Sequence, residues 1–318
     1  MFVYLGQRIL VMTLLLVVMS ILVFCAIHVL PGNVAILILG DSAAPEHVAA
    51  LEAKLGLNDP LHVQYWRWAS MFVTGDFGES LVMERPIAPI VMEALGKSLV
   101  LASCTLLIVA LVGITLGVIS ATRRGSIVDH GASLFAYLGI SVPEFFWGIV
   151  LIIVCVNYLG LLPASGNADI SDGIGNYIAH LILPIATLTL TLLAHVSRMT
   201  RSSVIEELES NYVKAARAKG LPERIVLFRH ALRNGLLPTI TVLAYDFGWL
   251  IGGIVVVETV FSYPGVGRLL IFAIERHDLP LVQAIVILMT AIYMGANLVA
   301  DLLYTCFNPK LRYGGAVE

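Results

Sequence analysis

Residues 9–30 read ILVMTLLLVVMSILVFCAIHVL, an apolar run without Asp, Glu, Lys or Arg, closed by Pro31-Gly32-Asn33. A helix needs about 20 mostly apolar residues to cross the hydrocarbon of a bilayer, so this stretch decides the class of fold. It is too long for a signal-peptide core and no A-x-A-like cleavage site follows, so a retained span is expected. Working outward, five more windows have the same character: Ser98–Thr122, Ser133–Tyr158 with Glu144 inside, Ile178–Val196, Leu236–Val257 interrupted by Asp246, and Leu279–Phe307 with Asp301 near its end. The expectation is an all-α integral membrane protein with six transmembrane helices. Composition agrees. The 318 residues are 58% hydrophobic and 13% charged, against about 25% charged in soluble domains. A disordered chain, a collagen-like fibre and a soluble globule are excluded, and a net charge of −3 carries no nucleic-acid signature.

Lys and Arg in the loops set the orientation. With the N-terminus inside, the inner segments hold 13 of the 19 basic residues, and the short 160–177 loop holds none. Both termini are therefore expected in the cytoplasm. The layout is then a first span in 1–30, an outer insertion in 31–97, a five-span core in 98–307 with an inner loop at 198–233, and a tail in 308–318. The outer insertion is acidic, with Asp41, Glu46, Glu52, Asp59, Asp76, Glu79, Glu84 and Glu93. Short helices are expected there over Ala44–Leu55, with Pro45 in its first turn and Gly56 past its end, and over Tyr65–Val73, whose Trp66, Trp68 and Phe72 suit a membrane interface.

The inner loop is the informative one. Ser203-x-x-Glu206 either caps a new helix or lies in an inward extension of the fourth span. Asn211 can cap a helix over Tyr212–Lys219, with Gly220 and Pro222 ending it. Ala215, Ala216 and Ala218 give that helix a low profile between Lys214, Arg217 and Lys219. By residue type alone it is either a solvated basic loop or a helix that seats in a groove on a partner.

The run Asn211-Tyr-Val-Lys-Ala-Ala-Arg-Ala-Lys-Gly220, with Arg229-His-Ala-Leu-Arg-Asn-Gly-Leu-Leu-Pro238, resembles the cytoplasmic signature of ABC importer permeases. Ala215, Ala216, Gly220, Leu237 and Pro238 match it. Lys214 stands where the general pattern has Glu, and 14 residues separate Gly220 from Gly235, the longer form of the dipeptide/oligopeptide/nickel branch. Gly75-Asp-Phe-Gly-Glu-Ser80, Ser141-Val-Pro-Glu-Phe145, Glu258-Thr-Val-Phe-Ser-Tyr-Pro-Gly-Val-Gly-Arg268 and Asn297-x3-Asp301 with Asn308-Pro309 extend the likeness along the chain.

The resemblance implies a type I importer permease in a bacterial inner membrane. It also implies a paralogous second permease, two cytoplasmic ATPases and an extracytoplasmic solute-binding protein as partners. Lys214, Ala215, Ala216, Arg217, Lys219 and Gly220 would then couple to the ATPase. ATP and Mg would be used by that partner, with no cofactor bound here, since no G-x-x-x-x-G-K-[ST] loop occurs in this chain. The solute is expected to be a di- or oligopeptide, with a nickel chelate or another small solute as the alternative. A secondary transporter driven by an ion gradient is the reading outside the family; no internal repeat supports it.

An ionisable group at membrane depth is a functional candidate. Asp246 and Glu144, with Trp249, are candidates for the translocation pathway; each acid has a competing reading as a structural pair or interfacial group. Asp301 reads as a structural partner for an arginine. Tyr263 and Pro264 are candidates for an outer gate or a binding-protein contact, with a plain turn as the competing reading. Cys25, Cys104, Cys155 and Cys306 read as buried hydrophobes, and His28, His180 and His195 as interfacial anchors without metal-ligand spacing. On this reading Gly220→Glu or Ala216→Arg is expected to abolish uptake while membrane insertion, measured by membrane content, is unchanged.

Overall fold

The computed structural model describes residues 2–29, 36, 44–56 and 58–307. Its elements are α1 (Phe2–Val29), α2 (Pro45–Leu55), α3 (Leu61–Val73), a two-residue-per-strand hairpin β1 (Glu79–Ser80) and β2 (Arg85–Pro86), and α4 (Ile87–Thr122). There follow α5 (Ile127–Ser141), α6 (Glu144–Leu151, continued as a wider π-type turn over Ile152–Tyr158), α7 (Ile174–Leu208) and α8 (Asn211–Ala218). The chain then forms an irregular helix α9 over 223–235, α10 (Leu237–Val260), α11 (Val266–Glu275) and α12 (Leu279–Phe307). Five of these helices are long and apolar enough to cross a membrane, and α5 with α6 makes a sixth span if counted together. The expected turn at 31–33, the tail from Asn308 onward and the side chains of His28 and Cys306 lie outside the described residues.

The differences from the sequence reading have local causes. The third span is not one helix: α5 and α6 meet at 104°. Pro143 forces Val142 out of the helical region, to φ −110° and ψ 130°, and has no N–H to continue the ladder. The second span starts at Ile87 because Glu93 and Lys97, which ended the apolar window, pair at 2.8 Å one turn apart on the same helix. The fourth runs on to Leu208 with Ser203 buried inside it, so Ser203 is not a cap. α11 falls where Pro264, Gly265 and Gly267 read as turns throughout.

The chain divides into two compact units. One comprises Met1–Lys97 with Gly265–Ile292. There α3 lies along α1: Phe24 and Tyr65 meet edge-on at 5.5 Å, and Trp68 and Phe72 extend the stack at 5.2 Å. Trp68 and Phe72 therefore pack internally, while Trp66 stays 74% exposed. The fully buried Asp278 organises the hairpin, accepting from the Ser80 hydroxyl and from the amides of Leu81 and Val82 at 3.3 Å. That explains what Ser80 does in the Gly75–Ser80 motif.

The other unit comprises Ser98–Pro264 with Tyr293–Glu318 and is built around α7, against which α5, α6 and α10 pack. Small residues permit the closest approaches. A Cβ on Gly117 would stand 2.5 Å from Thr200 Cβ and 2.7 Å from the Ser197 carbonyl, and one on Gly113 2.9 Å from Val196. Polar clasps then tie the helices. Arg201 of α7 donates from Nε and Nη2 to Asp129 of α5 at 2.6 and 2.8 Å. The hydroxyls of Thr200 and Thr239 lie 3.1 Å apart, and Ser98 donates to the fully buried Glu258 at 2.5 Å. Tyr245 donates to Asp301 at 3.0 Å, which gives Asp301 a tyrosine partner on α10.

The expected effect of Gly117→Ala is a loss of about 1–3 kcal/mol from overpacking against backbone, read as a drop of several degrees in thermal unfolding. Gly252→Ala, where a Cβ meets nothing within 4 Å, is expected to leave it unchanged.

Candidate functional site

The inner-loop helix α8 has two faces. Val213 and Ala216 turn inward, where they join Val226 and Ala231 in a buried cluster flanked by Leu208 and Leu221. Lys214, Ala215, Ala218 and Lys219 face outward. The helix ends as its sequence demands: Lys219 terminates it and Gly220 takes φ +75°, a left-handed conformation that costs other residues about 1–2 kcal/mol. A Cβ at Gly220 would meet nothing, so a substitution there strains backbone without a clash.

Two clasps hold α8 on its base. Arg217 donates through Nη2 to Glu223 at 2.5 Å and through Nη1 to the Leu208 carbonyl at 3.1 Å. The guanidinium holds the Glu223 carboxyl below the ordinary glutamate range, so this clasp is present at neutral pH and opens only as acid protonates Glu223. Tyr212 donates to Glu207 and receives from Asn234 at 3.0 Å. Gly235 lets α9 approach α7, since its Cβ would lie 3.3 Å from Val204 Cα.

Two of the expected coupling residues therefore have other work. Ala216 is 6% exposed and roots the helix, and Arg217 is engaged with Glu223. Ala216 faces inward, while Arg217, engaged with Glu223, keeps 40% of its side chain exposed. An outer face remains at Lys214, Ala215 and Lys219, beside Gly220. The sequence reading did not find Tyr212, Glu207 and Asn234, which pair across 5 and 22 residues without a shared motif.

The polar groups of the spans sort differently. Asp246 is 6% exposed and accepts from His195 Nδ1 at 3.2 Å, while its Oδ2 is buried without a partner among the described residues. Of the two readings of Asp246, pathway carboxylate and structural pair, the second finds its partner here: a half-exposed imidazole on α7 covers the acid on α10. His195, read as an interfacial anchor, is the missing half; 51 residues separate the two, and no local spacing signals it. Trp249 is half-exposed, its ring over Gly253. Glu144 opens α6 at the break after Pro143, half-buried, with Oε2 lacking a partner among the described residues.

Tyr263 is fully buried, in the turn where the Phe261 carbonyl accepts from Gly166 N–H at 2.8 Å. It cannot itself touch an outside partner; Pro264 is the half-buried residue of the pair. Cys25, Cys104 and Cys155 are free thiols, and none is fully buried: Cys25 is exposed, Cys104 and Cys155 half-buried.

Ala216→Arg places a cation in the apolar cluster under α8 and is expected to release the helix, so that trypsin cuts at Lys214 and Lys219 several-fold faster in membrane vesicles. Ala215→Arg is expected to leave that protection unchanged, and equal rates for the two variants contradict the assignment of faces.

A family model described as the binding-protein-dependent transport system inner membrane component matches residues 113–313, and one for the N-terminal part of such components matches residues 1–102. A probable peptide ABC transporter permease protein of Sinorhizobium fredii (strain NBRC 101917 / NGR234) is 36% identical, covering 98% of this chain and 99% of its own. A putative peptide transport system permease protein of Brucella abortus (strain 2308) is 38% identical over 94% of this chain and 95% of its own. A glutathione transport system permease protein of Salmonella paratyphi A (strain ATCC 9150 / SARB42) is 37% identical over 98% and 99%. A solved structure described as an amino acid ABC transporter with histidines aligns with 70% of this chain and 94% of that one, at 17% identity and a TM-score of 0.49. With models covering both halves and relatives matched nearly end to end, the chain belongs to the family of binding-protein-dependent transport system inner membrane components.

Proposed function

We propose that this chain is the permease subunit of an ATP-driven ABC importer that moves peptides delivered by a solute-binding protein across a bacterial inner membrane. Nickel chelates or other small solutes are the alternative cargo. The relatives named for peptide and glutathione transport support a peptide-like solute. The chain is a transport subunit, not an enzyme; ATP and Mg belong to two separate cytoplasmic ATPases. A paralogous permease completes the pathway, and both termini lie in the cytoplasm.

The observation that carries the coupling reading is the two-faced α8. A helix rooted by Val213 and Ala216 transmits a push rather than yielding to it, and its low outer face at Ala215, between Lys214 and Lys219, fits a groove with acidic walls. A partner can drive the spans only through a contact whose energy differs between its own two states. Lys214, Ala215, Lys219 and Gly220 form that contact; Ala216 and Arg217 set the helix on its base. In the spans, Asp246 with His195, Glu144 at the break between α5 and α6, and Trp249 on the exposed side of α10 are the proposed pathway groups. Tyr263 and Pro264 form the turn proposed as the outer gate.

Reconstituted with its partners, the transporter is expected to take up peptide only while ATP is hydrolysed, and to continue when proton and sodium gradients are collapsed. Lys214→Glu with Lys219→Glu is expected to lower uptake at least tenfold at unchanged membrane content. Uptake by this chain alone, following an ion gradient, overturns the reading.

A further inference from the structure

Within the unit built on α7, a cavity of about 60 Å³ opens between α4, α5 and α7, near the end of α7 that leads into α8. That is room for several water-sized groups and for the oxygens of one phosphate. Its polar lining is Ser120 from α4, Ser133 and Tyr137 from α5, and Ser197, Arg198 and Arg201 from α7, and no acid lines it.

The charges in this cleft are not balanced. Asp129 neutralises Arg201 through Nε and Nη2. Arg198 is exposed, and among the described residues nothing bonds or pairs with its guanidinium. The hydroxyls of Ser120, which is 3% exposed, and Ser133 also lack hydrogen-bond partners there. An unpaired guanidinium facing free hydroxyls is chemistry that recognises a phosphate oxyanion. A second observation points the same way. Beside the cleft, α5 leaves Leu134, Phe135, Leu138 and Ile140 uncovered, from 47% to 62% exposed, an apolar surface suited to acyl chains. Basic pockets between spans at the inner face are where anionic headgroups collect.

We propose that this cleft binds a phosphate group, carried by the headgroup of an anionic phospholipid or present as free phosphate. Bound there, it bridges α5 to α7 beside the Arg201–Asp129 clasp, at the end where the loop begins. No residue of α8 lines the site.

The test uses the assembled transporter purified from its own membrane in mild detergent. Native mass spectrometry counts retained phospholipid after exchange into phosphatidylglycerol or phosphatidylcholine, and equilibrium dialysis measures labelled inorganic phosphate on the delipidated complex. One phosphatidylglycerol retained per copy of this chain, with phosphatidylcholine washed out, supports the lipid source. Stoichiometric inorganic phosphate without retained lipid supports the free anion. Arg198→Gln, which leaves the Arg201–Asp129 pair intact, is expected to weaken whichever is bound about tenfold. Ser133→Leu, which fills the cleft, is expected to abolish it; co-purification of the partners reports that both variants are assembled. Equal retention of the two lipids with no phosphate bound, or binding unchanged in Arg198→Gln, overturns the proposal.

Discussion

A charged side chain carried into a span costs about 2.5–3.5 kcal/mol at the centre of the bilayer unless something satisfies it, and a polar one also seeks a partner there. The unit built on α7 is arranged around that constraint. Asp129 meets Arg201, Asp246 meets His195, Glu258 meets Ser98, Asp301 meets Tyr245, and Thr200 meets Thr239. Each pair joins helices distant in sequence, and three of the five involve α7. Tails of lipid are as apolar as leucine, so helices in a membrane gain little from hiding apolar surface on each other; close packing at small residues and interhelical hydrogen bonds hold them together. Gly113 and Gly117 supply the first for α4 against α7, and the five clasps supply the second.

Each clasp also fixes a register. Arg201 can reach Asp129 with two nitrogens only if α5 and α7 are aligned at the level where α7 leaves the spans. That alignment continues through Leu208, whose carbonyl is held by Arg217 of α8. The loop helix is therefore tied to the end of the central span through the Leu208 carbonyl and the Tyr212–Glu207 bridge, and to α9 through the Arg217–Glu223 ion pair and the cluster around Val213. On the proposed coupling role, a displacement of α8 would pass to α7 and, through the pairs along it, to α5 and α10.

Much of this was legible in the sequence. Apolar run length located the long spans, and the sixth begins at Leu279 as expected. Gly56 and Gly220 marked helix ends because both positions need positive φ, which they adopt. What failed has a common cause. Charge-bounded windows cannot see that Glu93 and Lys97 continue one helix, and an apolar window cannot see a break such as that at Pro143. The resemblance to the permease signature placed Ala215 and Ala216 together as docking residues, whereas one helical step turns them to different faces. Partnerships such as His195 with Asp246 depend on which helices become neighbours, and nothing within either helix encodes that. The unequal charge of the loops, acidic in 31–97 and basic in 198–233, was visible from composition; which of those basic groups are already spent on internal pairs was not.

The central claim is that α8 presents Ala215 outward to an ATPase while Ala216 holds the helix from beneath. Single cysteines at the two positions, in the assembled transporter with its native cysteines removed, test it most directly through disulfide or short-linker cross-linking to cysteines lining the ATPase groove. The account predicts a cross-linked product at position 215, changing in yield between nucleotide-free and ATP-bound states, and none at 216. A product at 216 and not at 215, or none at either in any nucleotide state, would contradict it.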